Sequence, residues 1–406
     1  MKHWQNRRSF LKTACGMAAV APLMNPLPEV FTQLKCLRLK ITDARQIKHS
    51  VRRKIPGELE PAWALGSTYK FAIGGGAIFE LHTDQGIVGI GPPVREALLP
   101  AIRDYLIGKD PFDTELLYTG MMAAVKSPNG FQGADIALWD IVGKACGQPL
   151  YKLWGGVKDK VAPYASMIQL STPEERADLA VRLKSEGWQA MKLRLHYPSM
   201  KEDIRLFETV RKAVGDDWVL MVDPNQGHRI QQGIDWDYKR AFETGRALQE
   251  MNCYWYEEPL KRNDLEGYAR LARELEMPLA GAEDDSDLDK FATMMRMDAF
   301  DFLNPECLII GIWGIRKVAA MAQLFNKKVV PHNGNFRLGT IAHLHLIASW
   351  SHAPYIEVLH DPPIGAYTHN FDIFTNQPLL DSEGFLKLPQ EPGLGVDIDP
   401  DLIIRG

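Results

Sequence analysis

The stretch Trp218-Val219-Leu220-Met221-Val222-Asp223-Pro224-Asn225 decides how this chain is read. Its apolar run lies between the charged Asp216-Asp217 turn and an acid followed by proline, the pattern of a short strand buried on both faces. Asp223 closes that strand. The pattern returns in Tyr254-Trp255-Tyr256-Glu257-Glu258-Pro259 and in Met277-Pro278-Leu279-Ala280-Gly281-Ala282-Glu283, each reached through a helix-like segment. A single acid beside proline is ordinarily a turn former. A recurring one differs, because in a barrel of parallel strands every C-terminal end opens on the same face. Carboxylates converging there repel unless a cation sits among them, and oxygen-only ligation points to a hard ion such as magnesium rather than zinc.

Working outward, strands are expected at Val161 to Ile168, Ala190 to Leu195, Phe300 to Asn304, Lys328 to His332 and Tyr355 to Val358, with amphipathic helices between them. Thr172-Pro173-Glu174-Glu175 reads as a capping box with proline at the first helical position, opening a helix that runs to about Ser185. This alternation predicts an α/β chain with a modified TIM (β/α) barrel over residues 158–360. Residues 31–157 are mixed: alternating strand patterns, a hairpin signal at Thr83-Asp84-Gln85-Gly86, and helices at Val94 to Ile107, Asp113 to Ala124 and within GADIALWDIVGKACGQPLYKLWGG (133–156). They read as an α+β capping domain, completed by the Pro- and Gly-rich residues 361–406. The segment from Lys54 to Lys70 is long enough to be a lid.

A net charge of −4 over 406 residues gives no reason to expect a nucleic-acid partner. Asn6-Arg7-Arg8-Ser9-Phe10-Leu11-Lys12 and the short apolar run behind it look like a twin-arginine export signal within residues 1–30, implying a periplasmic protein. The alternative is a basic N-terminus on a cytoplasmic one. The run is too short for an ordinary transmembrane helix, and no membrane partner is expected. The five cysteines show no metal or disulfide spacing.

Along Met191-Lys192-Leu193-Arg194-Leu195-His196, alternation sends the apolar residues to the helices and Lys192, Arg194 and His196 inward. Inward cations are costly unless they serve an anion. Glu306 and His332 end successive strands, which would set an acid beside an imidazole and raise its basicity. Glu357 ends the last strand and completes a polar ring at the mouth.

Taken together, the 133–156 motif, Lys192-Leu193-Arg194, Val222-Asp223-Pro224-Asn225, Tyr256-Glu257-Glu258-Pro259, Ala280-Gly281-Ala282-Glu283 and Pro331-His332-Asn333 resemble the enolase superfamily, specifically its mandelate racemase and acid-sugar dehydratase branch. The resemblance implies a magnesium ion on Asp223, Glu257 and Glu283, and a small carboxylate substrate neutralised by Lys192. It implies a base at His332 paired with Glu306, a hydrogen bond from Glu357 to the developing enediolate, and a symmetric homo-oligomer. Two departures stand out. Racemases of this branch carry Lys-x-Lys, whereas Arg194 holds a guanidinium with a pKa above about 12. Glu306 replaces the usual shorter Asp. One-base dehydration of an acid sugar to a 2-keto-3-deoxy acid is therefore the expected reaction, with racemase, epimerase or cycloisomerase chemistry as the alternative and a non-catalytic acid-sugar-binding homologue as the minor one. Candidate substrate contacts are Trp63 and Tyr69 on the lid, Asn225, His228 and Arg229 after the Asp223 strand, and Asn333.

Overall fold

The computed structural model describes residues 38–228, 233–334 and 337–404. The export signal expected within residues 1–30 and Arg229 lie outside them. Leu39 onward forms one unit.

The first strands, β1 (Ile41–Lys48), β4 (Ala77–Thr83) and β5 (Val88–Gly91), make an antiparallel sheet in the order β1-β4-β5, and β2 (Val51–Lys54) pairs with β3 (Ala72–Gly74) beside it. The Thr83-Gly86 hairpin forms as expected, with Gly86 at φ +79° and the Thr83 hydroxyl donating to the Ile87 carbonyl at 2.9 Å. One face of the sheet packs on helices Thr114–Val125 and Gln132–Ala145 through a core that includes Leu39, Phe79, Leu81, Phe131 and Leu138. The approach is close: a Cβ added at Gly91 would fall 2.1 Å from the Gly133 carbonyl oxygen.

Eight parallel strands follow: β6 (Lys160–Ser166), β7 (Ala190–Arg194), β8 (Val219–Asp223), β9 (Tyr256–Glu257), β10 (Leu279–Gly281), β11 (Phe302–Leu303), β12 (Lys328–Val329) and β13 (Tyr355–Leu359). They pair in the order β12-β11-β10-β9-β8-β7-β6-β13, so the last strand lies beside the first and the sheet curls. A short β14 (Leu386–Lys387) pairs antiparallel with β6. Among the described residues no ladder joins β12 to β13. The gap is bridged by Val329 N donating to the His352 carbonyl at 3.1 Å and by Asn333, one of the expected substrate contacts. Asn333 donates its backbone N–H to Glu357 Oε2 at 3.0 Å and its side-chain amide to the Glu357 carbonyl at 2.8 Å.

Several strands are shorter than their apolar runs, because those runs continue past the ladder into the packed strand ends. The predicted capping box is present on the helix Pro173–Ser185, Thr172 and Glu175 each satisfying the other's backbone N–H. The helix Cys307–Leu324 starts directly at Glu306, whose carboxylate caps it by accepting from Leu308 N at 3.1 Å. It breaks at Gly311 (φ +71°), where a Cβ would meet the Tyr118 ring of the helix Thr114–Val125 at 2.4 Å. The C-terminal residues return to the start of the described chain, with His49 bridging Ile403 and Ser50 N donating to the Leu402 carbonyl.

Candidate active site

Inside the curl, successive inward residues of each strand lie two apart. The lower set is Tyr164, Ala190, Met221, Trp255, Ala280, Phe302 and Val330, a buried apolar cluster that plugs the barrel. Two residues further along the same strands come Ser166, Lys192, Asp223, Glu257, Ala282, Asn304 and His332, and Glu357 stands two past Tyr355, which packs against the cluster.

Asp223, Glu257 and Glu283 are all buried, and each offers an oxygen within 4.8 Å of the others. Burial pushes Glu257 up to about 8, and the neighbouring carboxylates of Asp223, Glu357 and Glu283 add to this, against Lys192. Three such groups cannot share one pocket as anions without a compensating cation. The set is all oxygen and fits a hard divalent ion.

Lys192 is fully buried, its Nζ 2.7 Å from Glu257 Oε1, 2.9 Å from Glu357 Oε1 and 3.6 Å from Asp223 Oδ2. Burial opposes its charge, but those carboxylates hold its pKa above the ordinary lysine value. Arg194 is held by four groups: its Nε donates to the Met167 carbonyl at 2.7 Å, Nη2 to Ser166 Oγ at 3.0 Å, and Nη1 to Asp223 and to Asn225 Oδ1. The Trp63 ring covers it at 5.0 Å. The guanidinium is thus a fixed brace on the Asp223 carboxylate. His196, the third expected inward cation, leaves the barrel line at φ +74°; burial lowers its pKa to about 4, and Nδ1 lies 3.0 Å from the Pro224 carbonyl.

His332 is about one-quarter exposed, with Nδ1 3.4 Å from Glu306 Oε2 and Nε2 3.5 Å from Glu283 Oε2. Burial alone would lower its pKa; Glu283, Glu306 and Glu357 lift it well above the usual value. The longer arm of Glu306 is absorbed by its other oxygen, which caps the next helix and lies 3.4 Å from His343. His228 contacts Glu283 through Nε2, and its Nδ1 lies 3.4 Å from Asp284. Burial opposes its charge, and these acids raise its pKa to about 9.

A cleft of about 180 Å³ opens above these groups, and its lining includes Trp63, Tyr69, Arg194, Asn225, His228, Glu283 and His332. The lid carrying Trp63 is tied down by Ala62 N donating to the Ile168 carbonyl at 2.8 Å. Two expectations are redirected. Asn333 is enclosed, spending its amide on Glu357 and accepting from Thr340 at 3.1 Å, so it positions a neighbour rather than facing the cleft. Glu357 is held low, to about 2, burial being overcome by Lys192, His332 and Arg194. As an ionised acceptor it would have to gain a proton before donating to an enediolate.

Sequence reasoning missed Glu258 and His343. Glu258 is buried beside Glu283, its Oε2 without a partner among the described residues. It is one of four residues with positive φ just past consecutive strand ends, with His196 (+74°), Asn225 (+53°) and Ala282 (+81°). Such conformations cost on the order of 1–3 kcal/mol each and cluster where a site demands them. The doubled acid of Glu257-Glu258-Pro259 was the available signal. His343 had none, since it lies in the almost wholly buried helix Leu338–Ala348.

Residues 71–155 match the family model of the mandelate racemase / muconate lactonizing enzyme N-terminal domain, and residues 175–402 match the enolase C-terminal domain-like model. The chain is 34% identical over 298 residues to the L-talarate/galactarate dehydratase of Salmonella typhimurium, covering 69% of this chain and 72% of that protein. It is 29% identical to the D-galactarolactone cycloisomerase of Agrobacterium fabrum, covering 80% and 89%. The Salmonella dehydratase, solved with magnesium and L-lyxarohydroxamate, superposes with a TM-score of 0.75 at 25% identity, covering 94% of this chain and 95% of that one. With both family models matched in order along one chain, and with a curled eight-stranded parallel sheet behind an antiparallel one, this protein belongs to the enolase superfamily, in its mandelate racemase and muconate lactonizing enzyme group and the acid-sugar dehydratase branch.

Proposed function

We propose that this protein is a magnesium-dependent lyase that removes water from an acid sugar to give a 2-keto-3-deoxy acid. The observation that carries the reading is the state of Arg194: braced on Asp223, Asn225, Ser166 and Met167, it is a fixed cation where a two-base racemase places its lysine base. The dehydratase relatives support the same class.

Asp223, Glu257 and Glu283 would hold the ion, which when bound supplies Lewis-acid stabilisation of charge developing on the substrate carboxylate. Lys192 adds a fixed positive charge at the same place, its carboxylate partners keeping it protonated. His332 takes the α-proton, and Glu306, 3.4 Å from its Nδ1, stabilises the imidazolium so formed. The same imidazolium then returns the proton to the departing β-hydroxyl, so proton and water balance with no second base. Trp63 and the tied-down lid exclude bulk water.

Proton NMR in deuterated buffer with magnesium, over a panel of mono- and diacid sugars, tests this. Formation of a 3-deoxy-2-keto acid, lost on adding EDTA and absent in His332→Asn, is the expected result. Exchange or inversion of the α-proton without loss of water would make the protein an isomerase, as the cycloisomerase relative is. The Arg7-Arg8 signal adds a second part to the proposal, export from the cytoplasm. A reporter fused behind residues 1–30 should be exported, and should stay inside when both arginines are changed to lysine.

A further inference from the structure

Away from the barrel mouth, the helix Cys307–Leu324 meets the capping helices along a second cleft of about 300 Å³, whose lining includes Glu115, Trp139, Trp313, Arg316 and Lys317. The Arg316 guanidinium lies 5.1 Å from the Trp139 ring centroid and 5.4 Å from that of Trp154, and these two rings meet edge to face at 5.3 Å. Lys317 already has a counter-ion, Glu115 Oε1 at 2.5 Å, and sits 3.5 Å above the Trp313 ring. Arg316 has none: among the described residues no carboxylate lies within 4.0 Å of it. The indole N–H groups of Trp139 and Trp154 are buried beside Arg316 without an acceptor among the described residues, while the Trp313 side chain interacts with Glu115.

We propose that this cleft binds a small hydroxylated carboxylate at a site separate from the barrel mouth. A carboxylate meets the arginine fork in two parallel hydrogen bonds and supplies the missing counter-charge. Glu115 can only accept, so the ligand must also bring hydroxyl donors. The C–H faces of a polyol chain lie well on aromatic rings, whereas a bare phosphate would satisfy Arg316 and leave those rings uncovered. Burial weakens the hold of Arg316 on its proton, with Asp135 and Glu115 compensating only from a distance.

The cleft also touches the active site's support. Its lining includes Trp313, just after the Gly311 break, whose backbone N–H donates to Asp135 at 3.2 Å; just before the break, Tyr118 Oη donates to the Ile310 carbonyl at 2.8 Å. Glu306 caps the start of the same helix.

Calorimetric titration of the full-length protein with sodium D-gluconate, in EDTA so that the metal site is empty, tests the proposal, with sorbitol as the uncharged control. Saturable binding is expected in the wild type and in Lys192→Met, about tenfold or more weaker in Arg316→Met, and absent with sorbitol. Loss of binding in Lys192→Met but not in Arg316→Met would put the ligand in the barrel and overturn the proposal, as would no saturable heat. Should Arg316→Met not fold, Arg316→Lys keeps the charge without the fork and is expected to weaken binding too; unchanged affinity there overturns the proposal. Sedimentation velocity supplies the last check: if Arg316→Glu dissociates an assembly and gluconate has no effect, the cleft holds a second copy of the chain instead.

Discussion

The floor and the mouth of the barrel are built from the same strands, two residues apart, and they are opposites. At the floor Tyr164, Met221, Trp255, Phe302 and Val330 fill the space, with ring pairs such as Trp255 and Phe302 at 5.0 Å. At the mouth the same inward direction presents Lys192, Asp223, Glu257, His332 and Glu357, with positive φ at His196, Asn225, Glu258 and Ala282. The floor gains free energy from burial and dispersion, while the mouth spends it on desolvated charge and unfavourable backbone. One step along a strand therefore separates stability from chemistry. The difference teaches that the two properties can be altered independently.

The largest expected effect falls on the mouth alone. His332→Asn should lower turnover by about 10²–10⁴-fold, the usual worth of a positioned base, while the melting temperature stays near that of the wild type. A comparable loss of stability would mean that the two regions are coupled after all. Next comes the floor: Phe302→Ala should cost about 3–5 kcal/mol in denaturant unfolding, with turnover per folded molecule within a few-fold of the wild type. A large drop in turnover would show that the plug also tunes the groups above it.

A third prediction concerns Asp361, which follows β13 and pairs with Arg176 at 2.9 Å, both side chains buried. Burial raises the Asp361 pKa, but Arg176 and the backbone N–H groups of Ile168 and Gln169 more than offset it and hold the carboxyl below its ordinary value. A depressed folded-state pKa gives stability that is present above the unfolded value, about 3.9, and lost as pH falls through the lower folded one. Asp361→Asn should therefore cost about 3 kcal/mol at pH 7 and flatten the stability curve below about pH 4. An unchanged acid slope would assign that loss to other carboxylates. The smallest effect tests the strain: Ala282→Gly at φ +81° should raise stability by about 0.5–1 kcal/mol, after the entropy cost of glycine, with little change in turnover. A destabilised variant would show that the turn is not strained.

What could be read from the chain follows the same division. Alternation along Met191 to Leu195 put Lys192 and Arg194 inward because a strand has no other way to bury its leucines, and the three strand-end acids converged for a reason of topology. The capping box of Thr172 and Glu175 is a local code and formed as read. Partner choice is tertiary and was not legible. Nothing in the spacing says that Arg194 would brace Asp223, that Asn333 would stitch Glu357, or that His343 would stand behind Glu306. His196 continued the alternation in sequence, yet the turn into the next helix took it out of line. Arg229 lies outside the described residues.

The joint between β12 and β13 has a consequence in time. Elsewhere around the ring, neighbouring strands are held by ladders whose bonds must break together, whereas here Asn333, one residue beyond His332, carries the closure near the mouth with two hydrogen bonds. Local opening is easiest where the fewest such bonds have to be released. Amide exchange should accordingly be fastest along this seam, which would place His332, the proposed base, beside the part of the barrel that opens most often.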